Sequence, residues 1–137
     1  MIKITCVVIV MNELYTEFEN WLNNQLENND MPENTLAFCF NLYEESVEDS
    51  VYSVQIVACD KFDKDDSDWA CEEVWSSEED IFGVELSDEQ EKDWSAAQKL
   101  ITEWIEDYLV NGQYRNVFSG KPVAIGFVDG ELEIIQS

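Results

Sequence analysis

The chain has 137 residues, 45% hydrophobic and 12% aromatic, and carries 31 acidic against 7 basic side chains with no histidine, a formal net charge of −24. That length suits a single domain over 1–137, able to bury roughly two thirds of its unfolded surface in a core. The charge excludes nonspecific binding to nucleic acid or to an anionic membrane, which would both repel it, and favours a basic protein, metal cations or plain solubility.

The opening run IKITCVVIV, residues 2–10, is apolar on both faces and reads as a buried strand, central or covered. It is too short to span a bilayer, and NELYTEF follows it where a small-residue cleavage site would be needed. Alternatively, Met11 is the natural start and residues 1–10 are a leader. From Asn12, read as an N-cap, Leu14, Phe18, Trp21, Leu22 and Leu26 recur at helical spacing, and the helix should end by Asn28–Asn29, ahead of Asp30-Met31-Pro32.

Two alternating runs follow. In TLAFCFNLY, Leu36, Phe38, Phe40 and Leu42 share one face; in VYSVQIVAC, Tyr52, Val54, Ile56 and Ala58 do. The short acidic connection at 44–50 makes an antiparallel pair of them.

Residues 62–80, FDKDDSDWACEEVWSSEED, hold nine acids and one lysine around two tryptophans. This stretch reads as irregular, with about one helical turn near Trp69. Its composition suggests a division of labour. Burying an indole is worth a few kcal/mol by area, enough to pin down a segment that charge repulsion would otherwise expel. At least one of Trp69 and Trp75 is therefore expected to fasten the segment. Asp63, Asp65, Asp66, Asp68, Glu72, Glu73, Glu78, Glu79 and Asp80 would then face solvent as a partner-binding surface, with any indole left exposed as its anchor. Between Glu44 and Asp93, nineteen acids face only Lys61, Lys64 and Lys92. Such a concentration speeds encounter with a cationic protein.

Ser87-Asp88-Glu89-Gln90 has the pattern of a capping box. Behind it Trp94, Ala97, Ile101, Trp104, Ile105 and Tyr108 form the apolar stripe of a long helix, with Trp94 and Trp104 expected in the core. Asn111-Gly112 should end it with a left-handed glycine. Arg115 is expected to pair with a neighbouring acid. In PVAIGFVDGELEIIQS, Asp129-Gly130 suits a two-residue turn that would set Phe127 opposite Leu132 and Ile125 opposite Ile134, all on one face. The resulting fold class is α+β: an antiparallel-rich sheet of about five strands covered by two amphipathic helices, closing in a C-terminal β-hairpin.

Few catalytic chemistries fit. The missing histidine removes Ser-His-Asp and Cys-His nucleophile systems and His-ligated zinc, and no glycine-rich phosphate loop is present. Cys6, Cys39, Cys59 and Cys71 form no CxxC pair and read as reduced thiols of a cytoplasmic protein. Counted as a calcium loop from Asp63, the acidic stretch puts Asp68 where a glycine is needed and Val74 where a bidentate glutamate is needed. No metal or other cofactor is expected.

The order of features, an amphipathic helix leading into AFCFNLYEE, an acidic segment with DWACEE, a long helix and a closing VAIGFVDGELEII, resembles small bacterial immunity proteins of polymorphic-toxin and contact-dependent growth inhibition loci. The resemblance covers most of the chain from Met11 onward. It implies a non-catalytic cytoplasmic protein that binds and neutralises a cognate toxin domain. Immunity proteins against nucleases are often acidic because the toxin's cleft is basic. The family supplies no catalytic residues to carry over. Three alternatives remain: a nucleic-acid mimic that occupies a host DNA-binding protein, an enzyme working through carboxylates and a divalent metal, and a plain acidic domain whose function lies in a pocket that the sequence does not reveal.

Overall fold

The computed structural model describes residues 2–46, 48, 50–86, 94–128 and 130–137, with side chains from residue 13 onward. Its architecture is α+β. Two helices lie on one face of a six-stranded, mostly antiparallel sheet.

The first helix, α1, runs Ile2–Asn28. The strand expected over residues 2–10 is therefore a helix, and Asn12 lies within it rather than capping it. The β-branched residues favour a strand locally, but no glycine or proline separates Val10 from the amphipathic stretch that follows, and Asn12 alone does not break the helix. Helix propensity differs by only a few tenths of a kcal/mol per residue there, so cooperativity carries the helix through. From Leu14 onward the expected stripe is observed, with Phe18, Trp21, Leu22 and Leu26 buried. The helix stops where expected, and Asn29 Nδ2 donates to the Gln25 carbonyl at 2.9 Å. No described helix is long and apolar enough to cross a membrane.

Strands β1 (Ala37–Ser46) and β2 (Val51–Cys59) form the expected antiparallel pair, from Ala37 opposite Cys59 to Tyr43 opposite Ser53. Both faces of this pair are apolar, which is the central fact of the fold. Phe38, Phe40, Leu42, Tyr52, Val54, Ile56 and Ala58 face the helices. Ala37, Cys39, Val57 and Cys59 face away, into a second, smaller core. Burial pushes the Cys39 and Cys59 thiols up to about 12.

On the outer edge of β2 sit two short strands, β3 (Glu73–Ser76) and β4 (Phe82–Glu85), each antiparallel to it. Helix α2 (Trp94–Asn111) then crosses the sheet, with Ala97, Ile101, Trp104, Ile105 and Tyr108 buried as the spacing predicts. The capping box at 87–90 lies outside the described residues. Strand β5 (Val123–Phe127) pairs with β1 in parallel, the one parallel pair among the described strands, and β6 (Glu133–Gln136) pairs with β5. Phe18 and Trp104 meet between the helices, with ring centroids 5.5 Å apart, and Phe82 stands edge-on to both.

Three local expectations are corrected. Gly112 has no positive φ; among the described glycines only Gly120 does. Gly112 is required instead by close approach, because a Cβ there would lie 2.5 Å from the Tyr108 ring. That ring is held by two hydrogen bonds: its hydroxyl donates to Asn23 Oδ1 at 2.6 Å and accepts from the Tyr114 N–H at 3.2 Å. Arg115 donates from Nη1 to the Gly112 carbonyl at 3.0 Å, so among the described residues it serves the helix end rather than a carboxylate.

The third correction concerns the C-terminal pair. Ile125 lies opposite Glu133, and Ala124 opposite Ile134, one residue out of the expected register. Asp129 lies outside the described residues, but Gly130 N–H bonds the Phe127 carbonyl at 2.9 Å and the connection runs to residue 132. The Glu131 carbonyl would stand 2.8 Å from a Cβ on Gly126, so that glycine admits the loop. A one-residue slip reverses every side chain. Leu132 accordingly packs on the second core, while Ile135 reaches the helix-side one.

Candidate functional site

The first part of the acidic segment, residues 60–72, is a closed loop on the face of the sheet opposite the helices. Its neck is made by the Asp60 N–H to Glu72 carbonyl bond, 3.2 Å, and by Cys59 pairing with Glu73. Within it, Asp63 Oδ1 accepts from the Asp65 N–H at 2.9 Å, and the Asp63 carbonyl accepts from the Asp66 N–H at 3.2 Å. Asp66 Oδ1 in turn accepts from the Asp68 N–H at 3.0 Å and caps a short 3₁₀ turn, Ser67–Cys71. Short acidic side chains satisfy loop and helix-start amides in this way, so the aspartates shape the loop as well as charge it.

Trp69, on that turn, is the fastener. It is only 4% exposed and packs on Ala37, Cys39, Val57, Cys59 and Ala124, with Phe62 edge-on to it at 5.2 Å. Without this indole the second core would be open to water. Trp75 is half-buried on the opposite face, where it sits across from Ala58 and packs on the helix-side core. The two tryptophans of the segment therefore grip the sheet from its two faces, and neither is an exposed interface anchor.

The acids themselves point to water: Asp63, Asp65, Asp66, Asp68, Glu72, Glu73, Glu78, Glu79 and Asp80 are all exposed. They fall into two groups at the two ends of β3, a strand of four residues and so roughly 10–13 Å long. The first group, from Asp63 to Glu73, belongs to the loop. The second, Glu78 to Asp80, belongs to the β3–β4 turn, which is tied to α1: the Trp21 indole N–H donates to the Asp80 carbonyl at 3.1 Å, and Gln25 Nε2 donates to Asp80 Oδ2. Buried Ser77 fixes the same turn to β2, exchanging bonds with Ile56 through its backbone N–H and its hydroxyl. Glu78 adopts a positive φ of 53° there. Asp80 thus has an internal role that its place in an acidic run did not announce. Lys64, inside the loop, is exposed, as is Lys61 at its start.

A second feature was not foreseen. Trp94, expected in the core, is 57% exposed, because the stripe of α2 reaches it only after the strand beneath has ended at Phe127. Its ring stands perpendicular to Phe127 at 6.0 Å. Together they line an open groove of about 1330 Å³ between α2, the end of β1 and the β5–β6 connection. Leu42 and Phe127, paired neighbours on β1 and β5, contribute apolar floor, and Val128 is exposed beside them. Glu44, Glu45, Glu103, Glu106, Glu131 and Glu133 surround it, with Lys99 as the one basic residue among the described residues of the lining. The wall also includes Thr102, whose Oγ1 is buried without a hydrogen-bond partner among the described residues. The one signal for this groove in the sequence was Trp94 standing at the extreme end of its helical stripe.

Among the described residues, no three His, Cys, Asp or Glu side chains stand together as a metal ion would require. Compared with protein-family models, curated proteins and solved structures, the chain matches none.

Proposed function

We propose that the chain is an immunity protein: a non-catalytic cytoplasmic inhibitor that neutralises a basic toxin domain, such as a nuclease, by presenting the acidic loop to the toxin's cationic cleft. One observation carries this reading. Nine carboxylates of residues 62–80 are exposed on a segment whose backbone is tied down by Trp69, Ser77 and the Asp80 clamp. Charge on a pre-ordered segment steers a cationic partner and is not offset by the entropy of ordering a loop on contact. The resemblance of the chain to immunity proteins of toxin loci supports the same reading.

The test starts from gene context. A large secreted protein with a variable C-terminal domain should be encoded immediately upstream, and that domain, expressed alone, should arrest growth unless this chain is co-expressed. Association of the two purified proteins should be fast and salt-sensitive. Reversing Asp65, Asp66, Asp68, Glu72 and Glu73 to lysine should slow it by roughly 10-fold or more, the scale of electrostatic steering. An association rate unmoved by those five changes would remove the acidic loop from the mechanism.

A further inference from the structure

We propose that the groove between the start of α2 and the β5–β6 connection is a docking site for an arginine side chain on a segment of a basic protein. It is separate from the acidic loop, which packs over Ala37 and Cys39 near the beginning of β1, whereas the groove is lined by residues 42–45 on its later half. The inference does not depend on what the loop binds.

Two properties of the groove choose the occupant. Its interior offers aromatic and apolar surface, with Trp94 57% and Val128 54% exposed, and tryptophan is among the residues enriched at binding hot spots. Among the described residues its lining carries six glutamates against one lysine. An anionic ligand would be repelled, and a wholly apolar one would strip water from carboxylates and give nothing back. Guanidinium answers both properties at once. It is a planar, weakly hydrated cation that stacks on an indole, and its five donors fit carboxylates in bidentate pairs. Lysine brings the charge without the plane. The perpendicular contact with Phe127 gives the Trp94 ring one packed edge, which lowers the order that has to be imposed when the ligand arrives.

The experiment titrates the full ¹⁵N-labelled chain with acetyl-Gly-Arg-Gly-amide, and in parallel with the lysine and citrulline versions of that peptide. The arginine peptide should give saturable shifts at the Trp94 indole N–H and at the amides of Gln98, Thr102, Phe127 and Val128. The lysine peptide should bind about 3-fold or more weakly, and the citrulline peptide should not saturate. Trp94→Leu keeps apolar cover but loses the π face, and should weaken the arginine peptide by about 3- to 10-fold. Because Trp94 is exposed, this variant should fold, and its unshifted core resonances would verify that. The pair Glu103→Gln and Glu106→Gln should weaken binding similarly while leaving the indole in place. Lysine binding equal to arginine, citrulline binding equal to either, shifts confined to residues 62–80, or an unchanged affinity in Trp94→Leu would each overturn the assignment. Charge reversal in the acidic loop should leave the groove shifts intact, so the two sites fail or stand separately.

Discussion

Replacing Trp69 with alanine removes the indole that covers the second core, and the structure sets the scale of the effect. The side chain is nearly fully buried, so about 150–250 Å² of mostly apolar surface is at stake, worth about 4–6 kcal/mol by area. Tryptophan-to-alanine changes in cores cost roughly 3–5 kcal/mol once relaxation is allowed, with the edge-on contact to Phe62 part of the loss. The loop has a cheaper response than a cavity: it can let go of the sheet. Local opening should then become frequent while β1 and β2 stay paired. Hydrogen exchange reads this directly at the neck, where the Asp60 and Glu72 amides bond the Glu72 and Trp69 carbonyls. Their protection should fall by roughly 10² to 10³, or to none if the loop detaches. The Phe40 amide, at the centre of β1, should lose much less. Trp69→Phe should restore most of the protection. If Trp69→Ala left the neck amides as protected as before, the loop would be held by its own turns and the fastening role would be wrong.

Other outcomes follow from particular contacts. Gly112→Ala should destabilise by about 1–3 kcal/mol in urea unfolding, because its Cβ meets a Tyr108 ring that two hydrogen bonds hold still; Gly83→Ala, with nothing within 4 Å, should change stability by less than about 0.5 kcal/mol. An equal effect at the two glycines would refute the close-approach explanation. Stability should also fall in alkali. Burial raises the thiols of Cys39 and Cys59 from 9.0, and the Tyr108 hydroxyl from 10.0, to about 12. The unfolded chain therefore releases these protons first, so their contribution is complete below about pH 9 and is lost as pH rises towards 12. The urea midpoint should drop between pH 9 and 11, and Cys39→Ala with Cys59→Ala should flatten the early part of that drop; a midpoint indifferent to pH would contradict the burial of these groups.

Periodicity was informative wherever only one answer buried the apolar set. The α1 stripe from Leu14, the pairing of β1 with β2 and the α2 stripe through Tyr108 each have one such answer, and all three are observed. The β5–β6 register failed because the sheet buries apolar side chains on both faces. With a covered second face, Leu132 and Ile134 can turn either way, so alternation could not choose between neighbouring registers at β5–β6, and the loop's approach to Gly126 decided it. Residues 2–10 are apolar apart from Lys3 and Thr5, a pattern that suits a buried strand as well as a helix, and continuity with the amphipathic stretch settled it. For the acidic segment, composition pointed correctly to exposed carboxylates with an indole beneath. It could not show that Asp63 and Asp66 shape the turn or that Asp80 is clamped by Trp21 and Gln25, because those bonds depend on local conformation and on a helix more than fifty residues away. The groove at Trp94 was hidden for a similar reason: where a strand ends under a helix is a matter of tertiary placement.

An ordered acidic face is what the proposed inhibition rests on, and backbone ¹⁵N relaxation tests it without needing the partner. Amides from Asp63 to Asp80 should show order parameters close to those of β1 and β2, about 0.85, with the Trp69 indole N–H shielded from solvent exchange. Values below about 0.6 along the loop, with an exchanging Trp69 indole, would describe a tethered acidic strand in water and contradict the account.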